Sequence, residues 1–148
     1  MTTNKGPITI ALDAKAAPRT VNSFVVLARY RYFDGIAFHR IIPGFVIQGG
    51  DPEATGRGGP GYRFADELPQ PGQYEVGSLA MANSGPNTNG SQFFIVTGAQ
   101  GVGLPPNYAL FGQVTAGLDT VKAIESVGTP AGSPTEVVTI QSLIVKES

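Results

Sequence analysis

The run Phe38-His39-Arg40-Ile41-Ile42-Pro43-Gly44-Phe45-Val46-Ile47-Gln48-Gly49-Gly50-Asp51 sets an arginine and a glutamine among apolar residues, with glycines where side chains would block access. Arginine keeps its charge at any ordinary pH, so an apolar setting costs free energy unless something uses the charge. Residues 37–42 and 45–48 read as short strands. Period-2 alternation places Phe38, Arg40 and Ile42 on one face with His39 on the other, and puts Val46 with Gln48. About forty residues on comes a second block, Met81-Ala82-Asn83-Ser84-Gly85-Pro86-Asn87-Thr88-Asn89-Gly90-Ser91-Gln92-Phe93-Phe94-Ile95. The same rule there groups Gln92 with Phe94 and turns Phe93 and Ile95 into the core. Arg40, Gln48, Gln92 and Phe94 are therefore expected on one outer surface.

Around these blocks the chain reads as many short strands. Ile8-Thr9-Ile10-Ala11-Leu12 alternates as a half-buried strand does. Further strands are expected over 78–82, 93–96 and 109–114, and over 137–145, where β-branched residues are dense. Pro18 suits the first turn of a helix; Val21, Phe24, Val25 and Ala28 follow at helical spacing, and Asp34-Gly35 closes the segment. A second short amphipathic helix is expected over 118–124, before Gly128. The 20 glycines and 12 prolines are spread between apolar runs, as in an all-β protein rich in turns. Neither a repeat nor a linker is visible. The pattern favours an antiparallel barrel with two helices over its open ends, because closure removes exposed edges.

Bulk properties narrow the function. A chain of 148 residues suits one domain over 1–148 with a real core. Net charge is −1, which argues against nucleic acid as a main partner. Cysteine is absent and His39 is the only histidine, which excludes disulfides and thiolate chemistry and makes a zinc site or other metal unexpected. No cofactor is called for. No apolar stretch approaches a membrane span, and no basic segment leads into an apolar run, so a cytoplasmic location without membrane contact is expected; a monomer is expected as well.

The two quoted blocks resemble the signature blocks of the cyclophilins, the peptidyl-prolyl cis/trans isomerases, and the resemblance runs from about Gly6 to Lys146. It implies an eight-stranded antiparallel β-barrel capped by two α-helices, acting on proline-containing peptides and unfolded chains to assist folding. It carries family roles onto Arg40 as the catalytic residue, and onto Phe45, Gln48, Ala82, Asn83, Gln92, Phe94, Leu104 and Phe111. Rotation about a Xaa-Pro bond breaks no bond; its barrier, about 18–20 kcal/mol, comes from amide resonance. Catalysis requires the twisted amide to be held more tightly than either planar form. Arg40 can donate toward the pyramidal proline nitrogen or hold the proline carbonyl. Gln48 would orient Arg40, and the Asn83 backbone would pair with the substrate chain. Phe45, Val46, Phe94 and Leu104 would form an apolar floor for the ring. By family analogy, Gly56, Ser84 and Thr88 border a second subsite for residues preceding proline.

The sequence departs from well-studied members at several places. Val46 stands where Met is usual, Ile47 where Cys is frequent and Tyr108 where His is usual. Gln100-Gly101-Val102-Gly103 lacks the Trp of many eukaryotic members. The arginine and proline pocket stay intact; the rim changes, so cyclosporin binding is expected to be weak. Leu104-Pro105-Pro106-Asn107-Tyr108 is more similar to bacterial cyclophilins of the cytosolic type.

Other features read as structural. His39 faces away from Arg40 in a regular strand. Gly56-Arg57-Gly58-Gly59-Pro60-Gly61 lacks the Gly-Lys-Ser/Thr ending of a phosphate loop and reads as a flexible rim. Asn89-Gly90-Ser91 matches a glycosylation sequon, yet its Asn-Gly step reads as a turn. Ser91 has no histidine partner for hydrolase chemistry. A peptide-binding module without turnover is the runner-up, and a carrier with a ligand inside the barrel fits less well, since Phe24, Phe93 and Ile95 are available to fill it.

Overall fold

The computed structural model describes residues 1–147. Short apolar runs punctuated by Gly and Pro become short strands: β1 (Thr2–Thr3), β2 (Gly6–Pro7), β3 (Thr9–Leu12), β4 (Arg40–Ile42), β5 (Val46–Gly49), β6 (Ser78–Met81), β7 (Phe93–Val96), β8 (Leu110–Ala116) and β9 (Ile140–Ser142). Three helices accompany them: α1 (Pro18–Arg29), α2 (Ala99–Val102) and α3 (Leu118–Glu125). The pairings are all antiparallel. They build a three-stranded sheet, β2-β1-β9, and a six-stranded one, β3-β8-β6-β7-β5-β4.

The antiparallel, mainly β architecture with helices packed on it is the expected one; in detail its strands group into two sheets, and a one-turn helix joins the two expected. Among the described residues the two sheets do not merge into one hydrogen-bonded cylinder. They are tied at two seams: Phe38 N–H donates to Val138 O (2.8 Å) and Ile140 N–H to Ile36 O (2.9 Å), while Ile8 N–H donates to Met1 O (2.8 Å). Strands this short, with register shifts at Thr2/Thr3, Thr9/Ile10 and Leu79/Ala80, cannot sustain an unbroken ladder. The strand expected over 137–145 shrinks to β9, with Val137 and Ile144 exposed; β propensity marks a residue that fits a pleated surface and does not itself supply a partner. The third helix, α2, is a single turn with a central glycine, too short to leave a periodic signal.

Helix α1 starts at Pro18 as expected and buries Thr20, Val21, Phe24 and Ala28. Alternation sorts the strands into two layers. Ile41, Ile47, Leu79, Met81, Phe93, Ile95 and Phe111 point inward with Phe24, Phe33 and Phe38; Val46, Ala80, Phe94 and Val96 point outward with Tyr74. Phe24 lies 5.0 Å from Phe33, 5.2 Å from Phe111 and 5.6 Å from Phe93, centroid to centroid. These rings pack against one another in the interior, where a carried ligand would have to lie.

Candidate active site

Register brings the polar and apolar parts of the site together. Arg40 on β4 is opposite Gln48 on β5, Gln48 is opposite Phe94 on β7, and Phe94 is opposite Ala80 on β6. One transverse row on the outer face thus runs from a cation through an amide to an aromatic ring. Directly opposed side chains are close enough to interact. A second line of contacts crosses the row. Arg40 Nη1 donates to Gln48 Oε1 (3.3 Å), Gln48 Nε2 to Gln92 Oε1 (3.1 Å), and Gln92 Nε2 to the Gly58 carbonyl (3.1 Å). The Arg40 guanidinium carbon lies 5.8 Å from the centre of the Phe45 ring, in cation–π range. Gly132, at φ +95°, lies beneath the arginine stem; a Cβ there would meet Arg40 Cγ at 3.1 Å.

A hollow of about 120 Å³ opens beside the guanidinium, lined by Arg40, Phe45, Val46, Gln48, Ala82, Asn83, Phe94, Leu104 and Tyr108. Tyr108 meets Phe94 edge to face at 5.4 Å. Its backbone is pinned by Tyr74, whose hydroxyl donates to Tyr108 O (2.6 Å) and accepts from Tyr108 N–H (3.2 Å). Burial pushes the Tyr74 phenol up to about 12, so it stays a neutral donor. The Asn83 side chain is occupied within the chain, its Nδ2 donating to Asn107 O (2.9 Å) and its Oδ1 accepting from Gly85 N–H (3.2 Å). Its backbone N–H and C=O find no partner among the described residues.

Three expectations are corrected. Phe111 does not line the hollow: it is fully buried in the inner layer, because β8 presents Leu110 outward and Phe111 inward. Phe38 does not share a face with Arg40. The regular strand begins only at Arg40, and the irregular step through His39 lets both Phe38 and Ile41 point inward. Asn89-Gly90 is not a turn. Asn89 forms an isolated bridge with Phe64, is fully buried, and donates to Phe64 O (3.2 Å) and Asp66 Oδ1 (2.9 Å).

Ser84 lies in a neighbouring groove of about 870 Å³ with Gly56, Thr88 and Gln92; this groove shares Gln48, Ala82 and Asn83 with the hollow. The rim loop after β5 is tied down. Buried Asp51 accepts from the N–H groups of Glu53 (2.8 Å), Thr55 (2.9 Å) and Gly56 (2.6 Å). The apparent phosphate loop therefore cradles the chain's own carboxylate. Burial would raise Asp51, but these backbone donors, with that of Gly58, hold it below the usual carboxylate value. His39 is half-buried. Burial pushes it below its ordinary value, against a pull from Asp51 and with a push from Arg40, so the neutral form is favoured near neutrality. Reading strands alone missed Asp51 and Tyr74. An aspartate followed by a glycine-rich run was a usable signal for the first; nothing local marks the second.

The sequence model described as "Cyclophilin type peptidyl-prolyl cis-trans isomerase/CLD" matches residues 1–145. The chain is similar to the Probable peptidyl-prolyl cis-trans isomerase A of Mycobacterium leprae, 44% identical over 163 residues, covering 97% of this chain and 88% of that protein. It is 51% identical over 134 residues to Peptidyl-prolyl cis-trans isomerase-like 1 of Rhizopus delemar, covering 87% of this chain and 80% of that one. A cyclophilin-type peptidyl-prolyl cis-trans isomerase of Cryptosporidium parvum, crystallised in the presence of the dipeptide Ala-Pro, shares 33% identity and superposes with a TM-score of 0.90, covering 100% of this chain and 98% of that chain.

Proposed function

The chain belongs to the cyclophilin-type peptidyl-prolyl cis-trans isomerases, enzymes of Xaa-Pro rotation, and we propose that it works by holding the twisted amide with Arg40 over the Phe45–Val46–Phe94–Leu104 hollow. The observation that carries this is the transverse row Arg40–Gln48–Phe94, which sets a fixed cation at the lip of an apolar hollow. The proline ring enters the hollow. As the amide twists, its nitrogen gains lone-pair character, and an N–H of Arg40 not used by Gln48 donates toward it. The Gly58–Gln92–Gln48 line holds the guanidinium still, so little reorganisation is needed as the charge pattern changes. The free backbone groups of Asn83 pair with the substrate chain, and the groove at Ser84 takes residues preceding proline. Arg40→Lys tests the geometry: it keeps the charge but loses the planar fork, and should restore only part of the turnover lost in Arg40→Ala.

Residues 1–148 act as a single isomerase domain in this reading. Substrates are proline-containing peptides and unfolded chains, consistent with the Ala-Pro dipeptide present with the Cryptosporidium relative. A monomer in the cytoplasm completes it, to be tested by sedimentation and by fractionation of expressing cells. Among the described residues no helix is long and apolar enough to cross a membrane. Cyclosporin should bind weakly. Without a rim Trp, and with Tyr108 on the lip, affinity should fall roughly tenfold or more below Trp-containing members, as for loss of one interface hot spot. Calorimetry showing tight binding would overturn that expectation.

A further inference from the structure

The Pro43-Gly44-Phe45 turn joins β4 to β5 and carries one wall of the hollow. Its carbonyls are held from α2 and the segment before it: Gln100 N–H donates to Gly44 O (3.0 Å) and Thr97 N–H to Phe45 O (2.9 Å). Its Gly44 N–H goes elsewhere, donating to Glu125 Oε2 at 2.9 Å, 81 residues along the chain. Lys122 Nζ bonds the other oxygen, Oε1, at 3.3 Å and also donates to the Thr97 carbonyl.

Glu125 is badly placed for a merely helical role. It is the last residue of α3, where the helix dipole disfavours an anion. Its side chain is only 15% exposed, and a carboxylate taken that far out of water needs partners. Burial would raise its pKa; Thr97, the Gly44 N–H and Lys122 together hold it below the ordinary value. The buried Thr97 Oγ1 contributes by proximity and makes no well-aligned hydrogen bond. The turn it grips has no slack on its other side. A Cβ on Gly98 would come within 2.6 Å of Gly44 Cα, and one on Gly101 within 2.4 Å of the Phe45 oxygen.

We propose that Glu125 is a positioning residue for substrate, whose carboxylate fixes the Gly44 peptide and through it the Phe45 wall of the hollow. The inference rests on the hollow being the proline pocket. Phe45 touches the ring in the planar and twisted states alike, so misplacing it weakens both to a similar degree. The signature is a raised KM with kcat little changed.

The test uses the full chain and a Xaa-Pro peptide, with KM and kcat from exchange NMR and the Gly44 amide proton followed in the same samples. Glu125→Ala should raise KM roughly five- to tenfold, leave kcat within about twofold, and shift the Gly44 amide proton upfield. Glu125→Gln keeps an acceptor oxygen and should recover most of the affinity and part of the shift. If Glu125→Ala fails to fold, Glu125→Asp, one methylene short of Gly44, replaces it with the same expected signs. Unchanged KM, or a loss confined to kcat, overturns the proposal, as does a Gln variant no better than Ala. Phe94→Ala is measured alongside. If it binds peptide normally, the pocket assignment is wrong and this inference falls with it. If it binds poorly while Glu125→Ala binds normally, only the role of Glu125 is refuted.

Discussion

Phe93 meets three other rings inside the fold, Phe24 at 5.6 Å, Phe33 at 5.7 Å and Phe38 at 6.1 Å, while its neighbour Phe94 faces Tyr108 on the outside. Phe93→Ala should cost about 3–5 kcal/mol of stability, as for a ring removed from a packed core. Phe94→Ala should leave a folded protein with weakened proline-peptide binding. Denaturant melts and peptide titrations on both variants check this; reversed phenotypes would contradict the assignment of faces. That assignment was legible in sequence because both phenylalanines sit in a regular strand, where period 2 holds. The same rule failed at Phe38, two residues before the regular strand begins. It could not have rescued Phe111, whose place in the site came from resemblance and not from parity.

Helix α1 shows what an element takes from outside itself. Ala17 at its N-cap offers no side-chain cap. The carboxylate of Glu67 serves instead, accepting from Arg19 N–H (3.2 Å), Thr20 N–H (2.7 Å) and Thr20 Oγ1 (2.8 Å). Capping by a carboxylate at the positive end of the helix predicts a loss of about 1–2 kcal/mol for Glu67→Ala in urea denaturation, with Glu67→Gln in between. A loss under about 0.5 kcal/mol would contradict this role. The span of α1 could be read from Pro18 and the spacing of Val21, Phe24 and Ala28. Its cap could not, because the cap lies 47 residues away. The same limit hid the seam made by Phe38 with Val138 and Ile36 with Ile140, whose partners lie far apart along the chain.

At the scale of the whole molecule, titration links these pieces to stability. Asp51, Glu67 and Glu125 are buried enough to be raised, yet hydrogen bonds lower each from its ordinary 3.8, 4.5 and 4.5. Their contribution is complete above those values and lost as pH falls through the lower folded ones. His39, lowered from 6.5 mainly by burial, acts in the same direction: in the window below 6.5 the unfolded chain binds a proton that the folded one refuses, so stability rises with pH there. Burial raises Tyr32 and Tyr74 from 10.0, Tyr74 to about 12, and that contribution is lost as pH rises above 10.0. Denaturation midpoints should therefore be highest between about pH 7 and 9, decline gently toward pH 5 and drop steeply below about pH 4. A maximum near pH 5 would contradict these directions. Composition and two motifs made the class of chemistry legible at this scale. The carboxylates that secure the rim loop, the helix and the Gly44 turn were not, because each acts mainly on backbone N–H groups, which the pattern of side chains does not display.

In the proposed mechanism Arg40 stabilises the twisted amide more than it binds the peptide. Two-dimensional exchange NMR on a Xaa-Pro peptide, with parent protein and Arg40→Ala at matched saturation, measures turnover and affinity together. The cis/trans exchange rate should fall by about 3–4 kcal/mol of transition-state stabilisation, while peptide affinity changes by less than about tenfold. Near-normal turnover in Arg40→Ala, or a loss confined to affinity, would contradict it.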